Sequence, residues 1–208
     1  MPAKNRDLHG NVPDESPVAL LLIDVINHFE YEDGETLLAQ ALPMAERLAD
    51  LKRRAKKAGV PAVYANDNWG RWQSDFRRIV DRSLASRGRP VVERLLPEDD
   101  DYFVLKPKHS AFFSTTLDTL LDYLGVRTLV LTGIAGNNCV LFTAADAFMR
   151  DFNLVVPADC VVSIDPEDNR LALAHMRKVL DVDVRTATDL DLRALVARPH
   201  DVGSRRSA

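Results

Sequence analysis

The stretch "VRTLVLTGIAGNNCVLFTAADAFM" occupies residues 126–149 and combines three features of one structural unit. An apolar run ends at Gly133, a short polar loop follows, and a helical pattern begins near Cys139. A short unbroken apolar run is typical of a strand that is buried on both faces of a parallel sheet. The stretch therefore predicts a strand, a loop and a helix of a parallel α/β fold, with a thiol near the start of the helix.

The same alternation extends in both directions along the chain. Further strands are predicted at residues 17–24, 60–67, 101–106, 153–159 and 182–190, and further helices at 35–59, 114–125 and 165–180. This order predicts a mainly parallel sheet of about six strands in one domain, with a core over about residues 15–198 and loose termini. Residues 69–100 are harder to place, and their pattern predicts a helix followed by a long excursion near the active site.

The composition argues against several classes of protein. The 208 residues are 46% hydrophobic, and the net charge of −4 does not favour a nucleic-acid or membrane partner. Two cysteines, Cys139 and Cys160, do not make a disulfide framework, and the first ten residues lack the apolar segment of a signal peptide. We therefore expect free thiols and a cytoplasmic location.

Polar residues end four of the predicted strands. These are Asp24, the segment 66–68 (Asn, Asp, Asn), Lys106 and the glycine loop that carries Cys139. Because the carboxyl ends of parallel strands meet at one edge of a sheet, an acid, an ammonium group and a thiol are expected to lie together there.

These three groups suit nucleophilic acyl transfer. A helix N-terminus and a nearby lysine favour the thiolate, which is the reactive form of cysteine, so we expect Cys139 to be ionised. A carboxylate can accept a proton and return it to a leaving amine. Each residue also fits a structural role, since Cys139 could be a packed apolar residue, Asp24 a turn cap and Lys106 a surface cation. The residue pattern alone leaves both interpretations open.

Four segments resemble the isochorismatase-like cysteine hydrolase superfamily. They are "LLLIDVINHFE" (20–30), "KPKHSAFFSTTLDTLL" (106–121), "LVLTGIAGNNCVLFTAADA" (129–147) and "VVPADCVVS" (155–163). The resemblance runs in order from about residue 17 to residue 190, nearly the whole chain.

The resemblance implies a three-layer α/β/α sandwich and a catalytic triad of Asp24, Lys106 and Cys139. Lys106 matches the family motif, rather than Lys108, because it stands four residues before the serine at position 110. The resemblance also implies a cis peptide bond between Ile134 and Ala135. The oxyanion hole would consist of the backbone N–H groups of Ala135 and Cys139.

Departures from the family pattern narrow the expected activity. Nicotinamidases of the superfamily carry an Asp–x–His pair for a metal after the second strand, whereas the matching stretch here, "ANDNWGRW" (65–72), has no histidine. We therefore expect no metal and no cofactor, and we disfavour nicotinamidase. True isochorismatases, which cleave a vinyl ether, lack the cysteine, so Cys139 favours hydrolysis of a C–N bond.

The expected substrate is a small amide, ureido or carbamoyl compound. The residues expected to line its pocket are Phe29, Asn68, Trp69, Trp72, His109, Phe112 and Phe142, although core packing is an alternative role for each aromatic residue. The resemblance further suggests a homodimer or homotetramer.

Three other functions remain to be weighed against this one. A vinyl-ether hydrolase would use the same fold without the thiol, and a catalytically silent scaffold would leave Cys139 unreactive. A phosphoryl-receiver domain is a rival from a different class, but it needs paired acids near Asp24, and only Ile23 and Val25 flank that residue.

Overall fold

The computed structural model describes residues 15–73 and 75–197, and a six-stranded sheet forms its centre. The strands are β1 (Val18–Ile23), β2 (Ala62–Asp67), β3 (Tyr102–Lys106), β4 (Thr128–Ile134), β5 (Asn153–Val155) and β6 (Val161–Val162). Their order is β3-β2-β1-β4-β5, with β6 paired to the end of β4, and all neighbours are parallel. The predicted mainly parallel sheet of six strands is confirmed.

Seven helices of the described chain flank this sheet. They are α1 (Gly34–Lys57), α2 (Phe76–Leu84), α3 (Arg89–Arg94), α4 (Leu117–Leu124), α5 (Leu141–Phe148), α6 (Pro166–Val179) and α7 (Leu192–Ala197). Within the described residues, no helix has both the length and the apolar character needed to cross a membrane.

Strand β1 shows why the fold has three layers. All six of its residues are fully buried, and successive side chains of a strand point to opposite faces of the sheet. Val18, Leu20 and Leu22 join the apolar cluster that includes the inner face of α1. The alternate residues of the strand join a second cluster with α4 and α5. The sheet is therefore covered on both sides, which confirms the α/β/α arrangement.

Two predictions of secondary structure are wrong. Residues 69–100 do not form one helix and a long excursion, because α2 and α3 follow each other closely and pack on the α1 side. The strand predicted at 182–190 is reduced to a single bridge between Asp183 and Val155, followed by a 3₁₀ turn at Ala187–Asp189. The sixth strand is β6 instead. The predicted loose termini lie outside the described residues.

Candidate active site

Asp24 is the first residue after β1, and its side chain is held by two neighbouring strands. It adopts a left-handed backbone conformation (φ 52°), which turns the chain at the edge of the sheet. One carboxylate oxygen accepts a hydrogen bond from the backbone N–H of Asp67 at 2.7 Å, and the other lies 2.8 Å from Nζ of Lys106. The carboxylate is 10% exposed, so its orientation is fixed by these contacts rather than by solvent.

Lys106 ends β3, and its side chain is completely buried. The ammonium group contacts Asp24 at 2.8 Å, the carbonyl oxygen of Lys108 at 3.3 Å and Sγ of Cys139 at 3.5 Å. A second carboxylate, that of Asp67, lies 3.9 Å away. A buried ammonium group requires such partners, because burial of an unpaired charge is very costly.

Cys139 lies in the π-helical turn Gly136–Val140, which connects β4 to α5. Cys139 is partly exposed, and its sulfur accepts a hydrogen bond from Nζ of Lys106 at 3.5 Å. The hydroxyl of Thr143 donates to the carbonyl oxygen of Cys139 at 2.7 Å and accepts from the backbone N–H of Ala111 at 3.0 Å. The structure thus brings Asp24, Lys106 and Cys139 together at the carboxyl edge of the sheet.

The protonation state of the thiol differs from the expectation. Burial, and then the negative charge of Asp24, raise the pKa of Cys139 to about 12, although Lys106 acts in the opposite direction. Lys106 lies closer to Asp24 than to Sγ, so its charge is mainly engaged by the carboxylate. These effects favour the protonated thiol over the expected free thiolate.

The pKa values of the two charged partners, Asp24 and Lys106, are also shifted. Burial raises the pKa of Asp24, and its contacts with Lys106 and Cys139 oppose that effect only in part. Burial alone would lower the pKa of Lys106, but the negative charge of Asp24 and further contacts with Cys139 and Asp67 raise it overall. Lys106 therefore stays positively charged, and Asp24 is a stronger base than an ordinary carboxylate.

The loop before Cys139 is closed by backbone hydrogen bonds to Ala135. The peptide bond between Ile134 and Ala135 is cis. The carbonyl oxygen of Ala135 accepts from the N–H groups of Asn138 and Val140. Ala135 thus caps the π-helical turn that carries Cys139.

Sequence reasoning missed the residues that hold this loop. The N–H of Asn137 donates to the Ser163 hydroxyl at 3.2 Å, and that hydroxyl donates to the Asn169 amide oxygen at 3.1 Å. A Cβ at Gly136 would overlap this same amide oxygen, so any larger residue there would have to displace the Asn169 side chain. Asn169 lies in α6, far from the loop in sequence, and no local pattern marks it.

Four of the seven predicted pocket residues lie in two places beside the triad. Asn68 and Trp69 directly follow β2 and line a hollow, and the Trp69 ring packs edge-on against His28 at 4.6 Å. On the other side, the exposed rings of His109 and Phe142 lie 5.3 Å apart, and Phe142 is one helical turn beyond Cys139.

The other three predicted pocket residues lie elsewhere. Phe29 and Phe112 are buried in the two apolar clusters on opposite faces of the sheet, so the pocket prediction is wrong for them. Phe112 instead packs against Phe152 and beneath the guanidinium group of Arg150. Trp72 is 83% exposed and faces solvent rather than the hollow.

No group of three or more histidine, cysteine or acidic side chains is arranged to hold a metal ion within residues 15–73 and 75–197. His28 and Trp69 occupy the region after β1 and β2, and the imidazole accepts a hydrogen bond from the backbone N–H of Glu30. Burial, and then the positive charge of Arg82, lower the pKa of His28, so its ring is neutral at neutral pH.

Comparison with known proteins places this geometry in a family. The model of the isochorismatase domain matches residues 18–189, which is most of the chain. The chain belongs to the isochorismatase family. The superfamily resemblance seen in the sequence is therefore confirmed, and the chain is a member of a hydrolase family.

Two relatives and one solved structure illustrate the range of this family. The isochorismatase family protein YaaI of Bacillus subtilis, whose function is not characterised, is 44% identical over 168 residues, covering 81% of this chain and 93% of YaaI. The ureidoacrylate amidohydrolase RutB of Methylorubrum extorquens is 29% identical over 180 residues, covering 74% of this chain and 73% of RutB. The N-carbamoylsarcosine amidase of Thermoplasma acidophilum superposes with a TM-score of 0.67 at 27% identity, covering 84% of this chain and 98% of the amidase.

Proposed function

We propose that this protein is a cysteine-dependent amidohydrolase that cleaves a C–N bond of a small amide, ureido or carbamoyl compound. The observation that carries the proposal is the contact of one buried ammonium group with both partners, because Nζ of Lys106 lies 2.8 Å from Asp24 and 3.5 Å from Sγ of Cys139. The names of the amidohydrolase and amidase relatives support C–N hydrolysis.

In the first half of the reaction, Cys139 forms a thioester. Sγ attacks the carbonyl carbon while Asp24 takes the thiol proton, because the raised pKa of Cys139 favours the protonated thiol before the attack. The N–H groups of Ala135 and Cys139 stabilise the negative oxygen of the tetrahedral intermediate. Asp24 then gives its proton to the nitrogen as the C–N bond breaks, and ammonia or an amine leaves.

In the second half, water releases the product. Asp24 accepts a proton from water as the water oxygen attacks the thioester carbonyl. The C–S bond breaks, and the proton returns to sulfur, which regenerates the thiol and frees the acid. Lys106 keeps its charge throughout, and it orients the carboxylate while balancing the negative charge that moves between Asp24 and Cys139.

A screen for ammonia release over small amides, ureido acids and carbamoyl compounds tests the proposal. Intact-mass measurement on rapidly quenched mixtures should then detect an acyl adduct of the wild-type chain that is absent from Cys139→Ala. Hydrolysis that survives the loss of the thiol would favour a vinyl-ether hydrolase or other chemistry. A lack of hydrolysis with every compound, together with an unreactive Cys139, would favour a silent scaffold.

A homodimer or homotetramer and a cytoplasmic location stay predictions. The first follows from the family resemblance, and the second follows from the use of two cysteines without a disulfide framework. Light scattering with size-exclusion chromatography would measure the oligomeric state directly.

A further inference from the structure

A positively charged hollow adjoins the triad at the end of β2. Its lining consists of Asn68, Trp69, Arg71, Gln73, Asp75, Arg78, Ile79 and Arg82. It begins one residue beyond Asp67, whose carboxylate lies 3.9 Å from the ammonium group of Lys106. The N–H of Trp69 donates to that same carboxylate at 2.6 Å, so the wall of the hollow is tied directly to the candidate active site.

The charges on this lining are unbalanced. The lining contains three arginines and one acidic residue. Arg78 forms an ion pair with Asp75 at 3.3 Å and donates a hydrogen bond to the amide oxygen of Gln73 at 3.2 Å. Arg71 and Arg82 form no ion pair with any residue in the described part of the chain. Two guanidinium groups are therefore left without a negative partner at the edge of the hollow.

Arg82 is also held in place. Its guanidinium group lies over the indole ring of Trp69 at 5.5 Å, and His28 packs edge-on against that ring at 4.6 Å. Stacking of this kind orients the planar group while leaving its N–H donors available. A guanidinium group presents those donors in a fork that matches the two oxygens of a carboxylate.

We propose that this hollow binds a carboxylate of the substrate, which would make the substrate a small acid that carries the scissile amide or ureido group. The inference rests on the proposed function and specifies its substrate class. The free volume of the hollow, about 30 Å³, is enough for one such anionic group but not for a whole substrate. The rest of the molecule would extend over Asp67 towards Cys139.

Binding to the Cys139→Ala protein tests this proposal without requiring turnover. Calorimetric titrations would compare ureidoacetate, 3-ureidopropionate and 4-ureidobutyrate with 1-propylurea, a neutral compound of similar size. We expect at least one of the acids to bind saturably and at least about tenfold more tightly than the neutral urea, as is usual for a hydrogen bond to a charged group. Repetition with the wild-type chain controls for an effect of the substitution itself.

Variants of α2 locate the binding group. Arg82→Gln should weaken binding of the preferred acid about tenfold and leave the neutral urea unchanged, and Arg82→Lys should have an intermediate effect. Arg77→Gln is the matched control, because Arg77 is exposed on the same helix but outside the lining of the hollow.

Three results would overturn the carboxylate site. They are a failure of all three acids to bind, equal affinity for acids and the neutral urea, and an equal loss of affinity in Arg77→Gln and Arg82→Gln. Tight binding of an acid by a wild-type chain that hydrolyses nothing would instead contradict only the proposed function, so the two failures can be told apart.

Discussion

At the scale of single residues, the protonation of Cys139 is the feature that separates this site from one with a preformed thiolate. The carboxylate of Asp24 acts on the thiol of Cys139, and Lys106 lies closer to that carboxylate than to sulfur. In the proposed mechanism, the thiolate is therefore generated during the attack. This makes both cysteine reactivity and the pH dependence of turnover predictable.

Alkylation by iodoacetamide should occur at Cys139 before Cys160, because Cys139 is partly exposed whereas Cys160 is completely buried. The rate at Cys139 should keep rising between pH about 7 and about 10, since its raised pKa lies above that range. Peptide mass mapping across the pH series would measure both effects. A plateau of the Cys139 rate below pH about 8 would show a free thiolate and contradict this description.

The acid side of the pH profile should report Asp24. The base must be ionised, so kcat/KM should fall as the pH drops through the pKa of this carboxyl. Because burial raises that pKa above its ordinary value of 3.8, the loss should begin at a higher pH than for an exposed carboxylate. Initial rates in constant-ionic-strength buffers would test this. Undiminished kcat/KM at pH about 4 would exclude Asp24 as the base.

At the scale of elements, the junction between β4 and the nucleophile loop depends on one glycine. Gly133 has φ 111°, and a Cβ there would overlap the carbonyl oxygen of Ile23 in the adjacent strand β1. Gly133→Ala should therefore lower the free energy of unfolding by about 3 kcal/mol, through both strain and overlap.

Gly125→Ala is the control for this effect. Gly125 also has a positive φ, 74°, but no atom lies within 4 Å of its Cβ position, so only backbone strain of about 1 kcal/mol is expected. Urea denaturation of both variants would compare them. Equal losses of stability would mean that contact with β1 does not determine the geometry at Gly133.

The sequence predicted elements where one local signal dominates. The apolar run of β1 and the leucine spacing of α4 were sufficient to predict these two elements. A strand buried on both faces is apolar at every position, whereas a helix buried on one face is apolar at every third or fourth position. The region 182–190 has a strand-like composition, but only Asp183 reaches the sheet. Its neighbour in the sheet, β5, is three residues long, so it offers little edge for a further strand to pair with.

The same distinction applies to the candidate site. Strand-end positions predicted that Asp24, Lys106 and Cys139 would meet, because parallel strands impose that convergence. The pocket residues were harder to predict. Phe29 and Phe112 are as apolar as pocket residues, but they lie in the two apolar clusters on opposite faces of the sheet. The orientation of a residue beyond a strand end depends on a turn, and the sequence contains no periodicity there.

At the scale of the whole molecule, a buried ion pair ties α1 to the segment before β3. Nζ of Lys52 lies 2.6 Å from the carboxylate of Asp101 and donates to the carbonyl oxygen of Leu96 at 3.1 Å. Both charged side chains are almost completely buried. Removing one partner would leave the other charge without full compensation, which is much worse than removing an exposed pair.

Lys52→Met should therefore lower the free energy of unfolding by about 3 kcal/mol in urea denaturation. Glu93→Gln, which breaks the exposed pair with Arg89, should cause little change. A Lys52→Met protein as stable as the wild type would show that the apolar packing of α1, rather than this ion pair, holds the segment in place.

The most direct test of cysteine-dependent hydrolysis is the rate of ammonia release by Cys139→Ala on a compound that the wild-type chain hydrolyses. Cys160→Ala is the matched control, because its thiol lies in the core away from Asp24 and Lys106. Our prediction is that Cys139→Ala loses at least about a thousandfold in rate with its fold intact by circular dichroism, whereas Cys160→Ala retains most of its activity. Turnover by Cys139→Ala at a rate close to that of the wild type would contradict it.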